Sequence, residues 1–290
     1  MIIVKLQGGL GNQLFQYALA RQLAEIHKTE FKLDVSFFQT YKLHAYSLSP
    51  FNIQEKIASQ NETEDLIYNS PTLMDILQQK ILRKKPVINS NYIRENYFHY
   101  DSGILSLPDN VYLDGYWQSE KYFSNIGNII RSEFSVRKLQ SGENKEMSEK
   151  IFSKNSVCMH IRRGSYTMPP YNATHGTCQM NYYLEGIDYF SKKIKNPHFF
   201  VFSDDPDWTS KNLKINSDIT YVNHNSVNND FEDLRLMSQC KHHIIANSTF
   251  SWWSAWLCNN PGKIIIAPQD WFKSGDRDTR DLFPASWIRL

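Results

Sequence analysis

Short apolar segments alternate with amphipathic helical segments throughout the second half of the sequence. The apolar segments are SVCMHI, HFFVF, ITYV, HIIA and KIIIA, and the helical ones are NYYLEGIDYFSKKI, DWTSKNL, FEDLRLMSQ and SWWSAWL. This alternation is typical of βαβ units, in which helices cover both faces of a parallel sheet. Such sheets bind ligands outside the carboxyl ends of their strands. We therefore expect an α/β fold with functional residues directly after the strands.

The first half contains one clear unit of the same kind. IIVKL predicts a strand, QGGLGN predicts a tight turn, and apolar residues recur at helical spacing from Gln13 to His27. Farther along we predict only a helix in TLMDILQQKIL and a strand in NVYLDGYW. Residues 138–150 are polar without an apolar period and predict a linker. A chain of 290 residues then favours two domains, 1–150 and 151–290.

Composition excludes several classes of function. The net charge is +2, from 32 basic and 30 acidic residues without a long basic block, so we expect no nucleic-acid partner. The four cysteines lie far apart, which argues against a structural zinc site or a disulfide framework. The start MIIVKLQGG is too short for a signal peptide, and no segment approaches the roughly 20 apolar residues of a membrane span. These features favour a cytoplasmic location, and they leave peripheral membrane contact open.

The segment HIRRGSY carries two adjacent arginines out of the first of these strands. Strand alternation directs His160 and Arg162 to one face, and Arg163 turns away as the chain bends at Gly164. The planar guanidinium fork matches carboxylate or phosphate. Two interpretations are open: an internal salt bridge to a carboxylate, or an anionic ligand.

Other strand ends carry complementary chemistry. An aspartate can accept hydrogen bonds from guanine or ribose, and hydroxyls at a helix start can bind an anion with help from the helix dipole. Ordinary turns and helix caps would explain each segment alone. Taken together with the arginines, these residues predict a nucleoside diphosphate site. They are Ser203, Asp204, Asp205, Asn247, Ser248, Thr249 and Ser251.

The GGLGN turn resembles a dinucleotide-binding fingerprint but lacks its final glycine and a clear acidic partner about 20 residues on. Its glycines permit close approach of the backbone to a ligand. Asn12 and Gln13 would face that ligand.

Four segments together resemble glycosyltransferase family 11: KLQGGLGNQLFQYALA, GYWQSEKYF, HIRRGSY and ANSTFSWWSAWL. THGTC, FSDD and FEDLRLMS add to the resemblance, which runs from residue 1 to about residue 270. The family includes bacterial α-1,2-fucosyltransferases that move L-fucose from GDP-fucose to a sugar hydroxyl, commonly of galactose. The resemblance implies two Rossmann-like α/β domains facing a cleft, the glycosyltransferase B type, with an inverting reaction and no metal or other cofactor. It also implies a role in O-antigen or capsule assembly on the cytoplasmic side of the membrane.

The resemblance assigns roles to individual residues and to each domain. Domain 1–150 becomes the acceptor side and domain 151–290 the GDP-sugar-binding side. The expected partners are GDP-fucose and a galactose-containing glycan, free or lipid-linked. The predicted catalytic residues are Arg162, His160 and Asn12. Donor binding falls to Arg163, Asp204, Asp205, Asn247, Ser248, Thr249, Phe250, Ser251 and Gly11, and acceptor binding to Gln13, His175 and Trp117.

One position departs from the family pattern. The family usually has HIRRGD, whereas this chain has Ser165 in place of the aspartate. That aspartate would serve either as the general base or as a tether for an arginine or a loop. We favour the tether, because charge stabilisation of the leaving diphosphate is typically the largest catalytic effect in such sites.

Two other function classes remain open from the residues alone. A GDP-sugar-binding protein without catalysis would keep the nucleotide site, and Ser165 is the feature that suggests it. A dinucleotide-dependent oxidoreductase would explain GGLGN but would leave HIRRGSY and NSTFSWW without a use.

Overall fold

The computed structural model describes residues 1–68 and 88–290, which form two compact units, Met1–Phe134 and Ser135–Leu290. The predicted helix TLMDILQQKIL, residues 72–82, lies outside the described residues. The division falls after Phe134 rather than after residue 150, because the segment that follows packs on the second unit.

The first unit is a four-stranded parallel sheet with the order β2-β1-β4-β3. The helix after β1 starts at Leu10, so Gly11 and Asn12 lie in its first turn rather than in the predicted tight turn. The strands are β1 Ile2–Lys5, β2 Phe31–Asp34, β3 Tyr92–Arg94 and β4 Val111–Asp114. The described helices are α1 Leu10–His27, α2 Phe37–Thr40, α3 Gln60–Ile67 and α4 Gly127–Glu133.

Strand β4 ends earlier than the pattern NVYLDGYW predicts. The Glu95 carboxylate accepts hydrogen bonds from the backbone N–H groups of Tyr116 (2.7 Å) and Trp117 (2.9 Å), so these groups cannot join a strand ladder. Trp117 also adopts φ +56°, a left-handed conformation that is uncommon for a bulky residue. The chain therefore turns sharply directly after β4.

The second unit is a six-stranded parallel sheet with the order β10-β9-β8-β5-β6-β7. Its strands are β5 Asn155–Ile161, β6 Pro197–Ser203, β7 Asp218–Val222, β8 His242–Ile244, β9 Ile265–Ala267 and β10 Ile288–Arg289. Its helices are α5 Gly142–Phe152, α6 Tyr171–Thr174, α7 Met180–Lys193, α8 Pro206–Asn212, α9 Asp230–Gln239 and α10 Thr249–Leu257. The predicted α/β fold class with two parallel units is confirmed.

Both faces of the second sheet are buried, as a parallel sheet with helices on each side requires. Val157 and Met159 pack with Tyr183 on one face, and Cys158 packs with Leu236 on the other. The second cluster also contains Ile151 of α5, which is fully buried. The linker predicted for residues 138–150 was therefore wrong, since most of this segment belongs to a packed helix.

Strand order locates the crevice of the second unit. The chain runs from central β5 outward through β6 to β7 and then returns to β8 on the other side of β5. Strands β5 and β8 therefore flank the topological switch point, where open α/β sheets bind ligands. Arg162 follows β5 and Asn247 follows β8.

Within residues 1–68 and 88–290, no helix has the length and hydropathy needed to cross a membrane. The same part of the chain has no group of three or more His, Cys, Asp or Glu side chains that could hold a metal ion. Cys158, Cys240 and Cys258 are buried thiols, and Cys178 is a half-buried thiol.

Candidate active site

Arg162 is held by the strand next to its own. Its Nη1 lies 3.0 Å from Oδ2 of Asp204, which directly follows β6, and its Nη2 donates to Oγ of Ser165 at 3.4 Å. Nε is buried and has no hydrogen-bond partner among the described residues. The internal salt bridge that the sequence left open is thus present. A quarter of the arginine side chain (25%) remains exposed, so the guanidinium is oriented and still accessible.

Arg163 is fixed more tightly. Its backbone N–H donates to Oδ1 of Asp204 (2.7 Å), its Nε donates to Oδ2 of Asp205 (3.3 Å), and its guanidinium carbon lies 3.5 Å from the Trp208 ring centroid. The Asp205 carboxylate also caps α8 by accepting from the Trp208 N–H at 3.2 Å. Both aspartates therefore have partners within the unit, and their predicted contacts with guanine and ribose stay predictions.

His160 lies in β5, two residues before Arg162, and is 5% exposed. Its ring centroid lies 5.7 Å from that of Phe250 in α10. Burial, together with the charge of Arg162, lowers the pKa of His160 to about 3. The imidazole is therefore neutral near pH 7 and suits hydrogen bonding better than proton transfer. Its Nδ1 is buried without a partner in the described part of the chain.

The start of α10 leaves donors available for an anion. Ser248 is the N-cap residue, but its side chain makes no capping hydrogen bond, and the first turn contains no acidic residue. The N–H groups of the first turn of a helix have no partner within that helix and carry its positive dipole end. The Ser248 hydroxyl therefore does not serve as an ordinary helix cap, the role that the sequence also allowed.

Two other residues predicted to bind the donor serve the local structure. Oγ of Ser251 accepts from the Ala246 N–H at 3.0 Å, and Ser251 is fully buried. Nδ2 of Asn247 faces three backbone carbonyls, those of His175 (3.0 Å), Gly176 (3.3 Å) and Trp271 (3.2 Å). Asn247 therefore fastens two loops to the end of β8.

A row of ring contacts extends from Arg162 through Tyr166 to His175. The Tyr166 ring centroid lies 5.3 Å from the Arg162 guanidinium carbon and 4.7 Å from the His175 ring centroid, with the last two rings nearly parallel. The Phe272 ring centroid lies 5.5 Å from that of His175. Burial, with the charges of Arg277 and Arg162, lowers the pKa of His175. Tyr166 and Phe272 were not predicted as site residues from the sequence, although Tyr166 lies within HIRRGSY.

Two carboxyl groups in the first turn of α9 were also missed. Burial raises the pKa of Asp230 and of Asp233 to about 6. A backbone hydrogen bond from Phe231 and then the charge of Arg162 counteract this shift at Asp230, and a 2.7 Å hydrogen bond from Asn225 counteracts it at Asp233. Both belong to α9, whose segment FEDLRLMS contributed to the family resemblance, and the signal was the run of acids at the start of that helix.

The residues predicted in the first unit are mostly internal. Asn12 is half-buried, and its Oδ1 accepts from Nε2 of Gln118 at 3.0 Å. Gln13 has no exposed surface, and its amide binds the Gly8 and Ala45 carbonyls and the Ser47 N–H. Trp117 is 1% exposed, and Gly11 is buried in α1. Direct acceptor contacts by Gln13 and Trp117 stay predictions that this geometry does not support.

Arg162 and the start of α10 thus follow two adjacent strands, β5 and β8. The family model for glycosyl transferase family 11 matches residues 1–290. The chain belongs to glycosyl transferase family 11. The resemblance found in seven short segments is therefore confirmed over the whole chain.

Three curated relatives have sequence similarity to this family 11 chain. It is 33% identical to an alpha-1,2-colitosyltransferase of Escherichia coli, over 100% of this chain and 99% of the relative. It is 30% identical to the O-antigen biosynthesis glycosyltransferase WbnK of Escherichia coli, over 98% and 99%. It is 25% identical to galactoside alpha-(1,2)-fucosyltransferase 1 of Mus musculus, over 86% of this chain and 61% of the relative.

Proposed function

We propose that this glycosyltransferase is an inverting galactoside α-1,2-fucosyltransferase that moves L-fucose from GDP-β-L-fucose to the 2-hydroxyl of galactose. The observation that carries the proposal is the position of Arg162 and the uncapped start of α10 after β5 and β8. These strands flank the switch point. A guanidinium fork and a helix start at one crevice suit a diphosphate.

In the proposed donor complex, Arg162 and the first-turn N–H groups of α10 hold the diphosphate, with Ser248 and Thr249 hydroxyls beside them. Asp204 and Asp205 orient the arginines, and the second lone pairs on their oxygens accept hydrogen bonds from ribose or guanine. His160 supplies a neutral hydrogen-bonding ring next to Phe250. Donor binding in this scheme needs no metal ion, because arginine supplies the positive charge.

The proposed reaction is a displacement at the anomeric carbon. The acceptor oxygen forms a bond to that carbon from the face opposite the phosphate, and the bond between the carbon and the phosphate oxygen breaks. The electron pair leaves with GDP, and the hydroxyl proton passes to a base. Arg162 stabilises the charge that develops on the phosphate, an effect typically worth on the order of 10²-fold or more in rate.

On the acceptor side, His175 is the half-buried member of the predicted set. We propose a galactose-containing glycan, free or lipid-linked, with the enzyme acting in the cytoplasm or peripherally on the inner face of the membrane. The similarity to an O-antigen glycosyltransferase supports this role.

A second candidate is transfer of colitose from GDP-colitose. The 33% identity to an alpha-1,2-colitosyltransferase supports it. Colitose differs from fucose only in lacking the 3-hydroxyl group. A site that hydrogen-bonds that hydroxyl rejects the analogue by about 10⁴–10⁵, whereas an apolar pocket discriminates weakly. The ratio of kcat/KM for the two donors therefore separates the candidates.

The decisive experiment incubates the purified protein with GDP-fucose or GDP-colitose and a panel of galactosides, and follows the product by mass. A product one deoxyhexose heavier, with an α-1,2 linkage, is expected from GDP-fucose. Thermal shift with GDP and with NAD gives a check that does not depend on turnover. Stabilisation by NAD alone would overturn the proposal, and stabilisation by GDP without turnover would favour a binding protein.

A further inference from the structure

The second unit contains a cavity of about 510 Å³ beside the proposed diphosphate site, at the carboxyl ends of β8, β9 and β10. Its walls come mainly from two loops, one directly after α6 and one after β9. Polar lining residues include Asn172, Thr177, Gln179, Gln269, Asp270 and Lys273. The volume lies within the range of about 300–1,000 Å³ typical of small-molecule sites.

The two loops are fastened to each other and to the sheet. Asn247 binds the carbonyls of both loops, and the Lys273 backbone N–H donates to the Thr174 carbonyl at 2.9 Å. Gly176 has φ +62°, and a Cβ there would lie 3.2 Å from the Lys273 side chain. These contacts within the protein hold the cavity walls in place, and such pre-organisation lowers the entropy cost of binding.

The chemistry of the lining indicates what kind of molecule the cavity fits. Most polar groups are amides and hydroxyls, and the two lining residues with charged side chains, Asp270 and Lys273, have opposite signs. The Phe272 and Tyr182 rings add an apolar surface. Hydroxyls scattered on a ring with an apolar face match this mixture. A phosphate would instead favour several cationic groups.

The position of the cavity relates it to the transfer reaction. His175 lines the cavity and stacks on Tyr166, which contacts Arg162. Asn247 lines it too and directly precedes Ser248, the N-cap of α10. A sugar attached to a phosphate held by Arg162, or a sugar that attacks it from about 3–3.5 Å, would lie within reach of this cavity.

We propose that the cavity binds a pyranose ring, with Asp270 accepting hydrogen bonds from its hydroxyls; the assignment rests on the proposed function. The ring belongs either to the donor or to the acceptor glycan. Asp270 is exposed, so its replacement leaves the core intact.

The test uses Asp270→Asn, which removes the charge at constant shape, and Asp270→Trp, which fills the cavity. Asp188→Asn is the control, since Asp188 is an exposed carboxylate of α7 paired with Lys192 and does not line the cavity. For each protein we would measure GDP affinity, KM for donor and acceptor, and hydrolysis of GDP-fucose without acceptor. A lost hydrogen bond to a charged group corresponds to a change of about 10-fold to 100-fold.

The arms distinguish the two sources of the ring. A higher acceptor KM with unchanged hydrolysis assigns the cavity to the acceptor, and a higher donor KM with altered hydrolysis and unchanged GDP affinity assigns it to the donor sugar. Wild-type turnover with both Asp270 variants inside about twofold of the control would overturn the inference while sparing the proposed function. An inactive wild type would fail the proposed function instead. Saturation-transfer NMR with methyl galactoside and free fucose then tests whether a sugar binds in the cavity. A signal that survives in Asp270→Trp refutes binding at this place.

Discussion

The Asp204 carboxylate occupies the space that a Cβ atom at position 164 would need. A Cβ on Gly164 would approach Oδ2 of Asp204 far more closely than the 3.0 Å limit of real Cβ contacts. The same carboxylate pairs with Arg162 and accepts from the Arg163 N–H. Glycine at this position therefore allows one carboxylate to hold both arginines.

Gly164→Ala should displace Asp204 and with it the Arg162 guanidinium. We expect transfer to fall on the order of 10²-fold, because small misplacements of positioning groups are costly. Overpacking should lower the free energy of unfolding by about 1–3 kcal/mol. Gly262→Ala is the control, since a Cβ there meets only Asn260 at 3.9 Å. Initial rates and urea unfolding measure both effects, and equal rates for the two variants would contradict this role of Gly164.

Arg162→Ala should abolish transfer and weaken GDP binding while the fold survives. Arg162 follows the end of β5 and belongs to neither core cluster of the second unit, so its removal should leave the packed core intact. Arg162→Lys should rescue poorly, since a point charge lacks the planar fork. Arg280→Ala serves as a matched control, because Arg280 is an exposed arginine that also pairs with an aspartate, Asp278. Calorimetric GDP titration and circular dichroism provide the measurements, and an unfolded Arg162→Ala protein would favour a purely structural ion pair.

The sequence predicted the sheet and its functional edge because strand periodicity depends on local residues. It did not predict which polar side chains at that edge bind each other. Asn247 donates hydrogen bonds to carbonyls of loops that are distant in the sequence. The Glu95 carboxylate accepts from the Trp117 N–H and so terminates β4. Helix α5 was missed because its apolar stripe contains only Met147 and Ile151 among charged residues. Such contacts depend on tertiary packing, which overrides local preference.

The pH dependence of stability should reveal Asp230. Burial raises its pKa from 3.8 to about 6, so the folded protein binds the proton more tightly than the unfolded chain. Its contribution to stability is thus present below pH 3.8 and is lost as pH rises to about 6. Asp230→Asn removes this loss and should gain stability relative to wild type between pH 4 and 7. Denaturant unfolding of wild type and Asp230→Asn at both pH values tests this, with Asp188→Asn as control. The same change of unfolding free energy with pH in wild type and Asp230→Asn would contradict the prediction.

Transfer should persist in excess EDTA. Arg162 supplies positive charge to the proposed diphosphate site, and Asp204 and Asp205 already bind arginines rather than standing open as metal ligands. The measurement is the initial rate with and without chelator, followed by addition of Mn²⁺. Activity that is lost in EDTA and restored by Mn²⁺ would reassign the two aspartates to metal binding.

Ser165→Asp distinguishes the tether from the general base at the position where this chain departs from its family. Oγ of Ser165 lies 3.4 Å from Nη2 of Arg162, and Asp204 already pairs with Nη1 of the same guanidinium. An aspartate at 165 would strengthen a contact that exists, so the tether role predicts a modest change in rate and an active wild type. The base role predicts a nearly inert wild type and a gain of about 10²–10⁴-fold in the variant. Ser165→Asn, which adds the shape without the charge, is the control. Initial rates at saturating substrates across about pH 5–9 decide the matter. A gain above roughly 100-fold in the aspartate variant alone, with a new acidic limb near a carboxylate pKa, would show that this position holds the base.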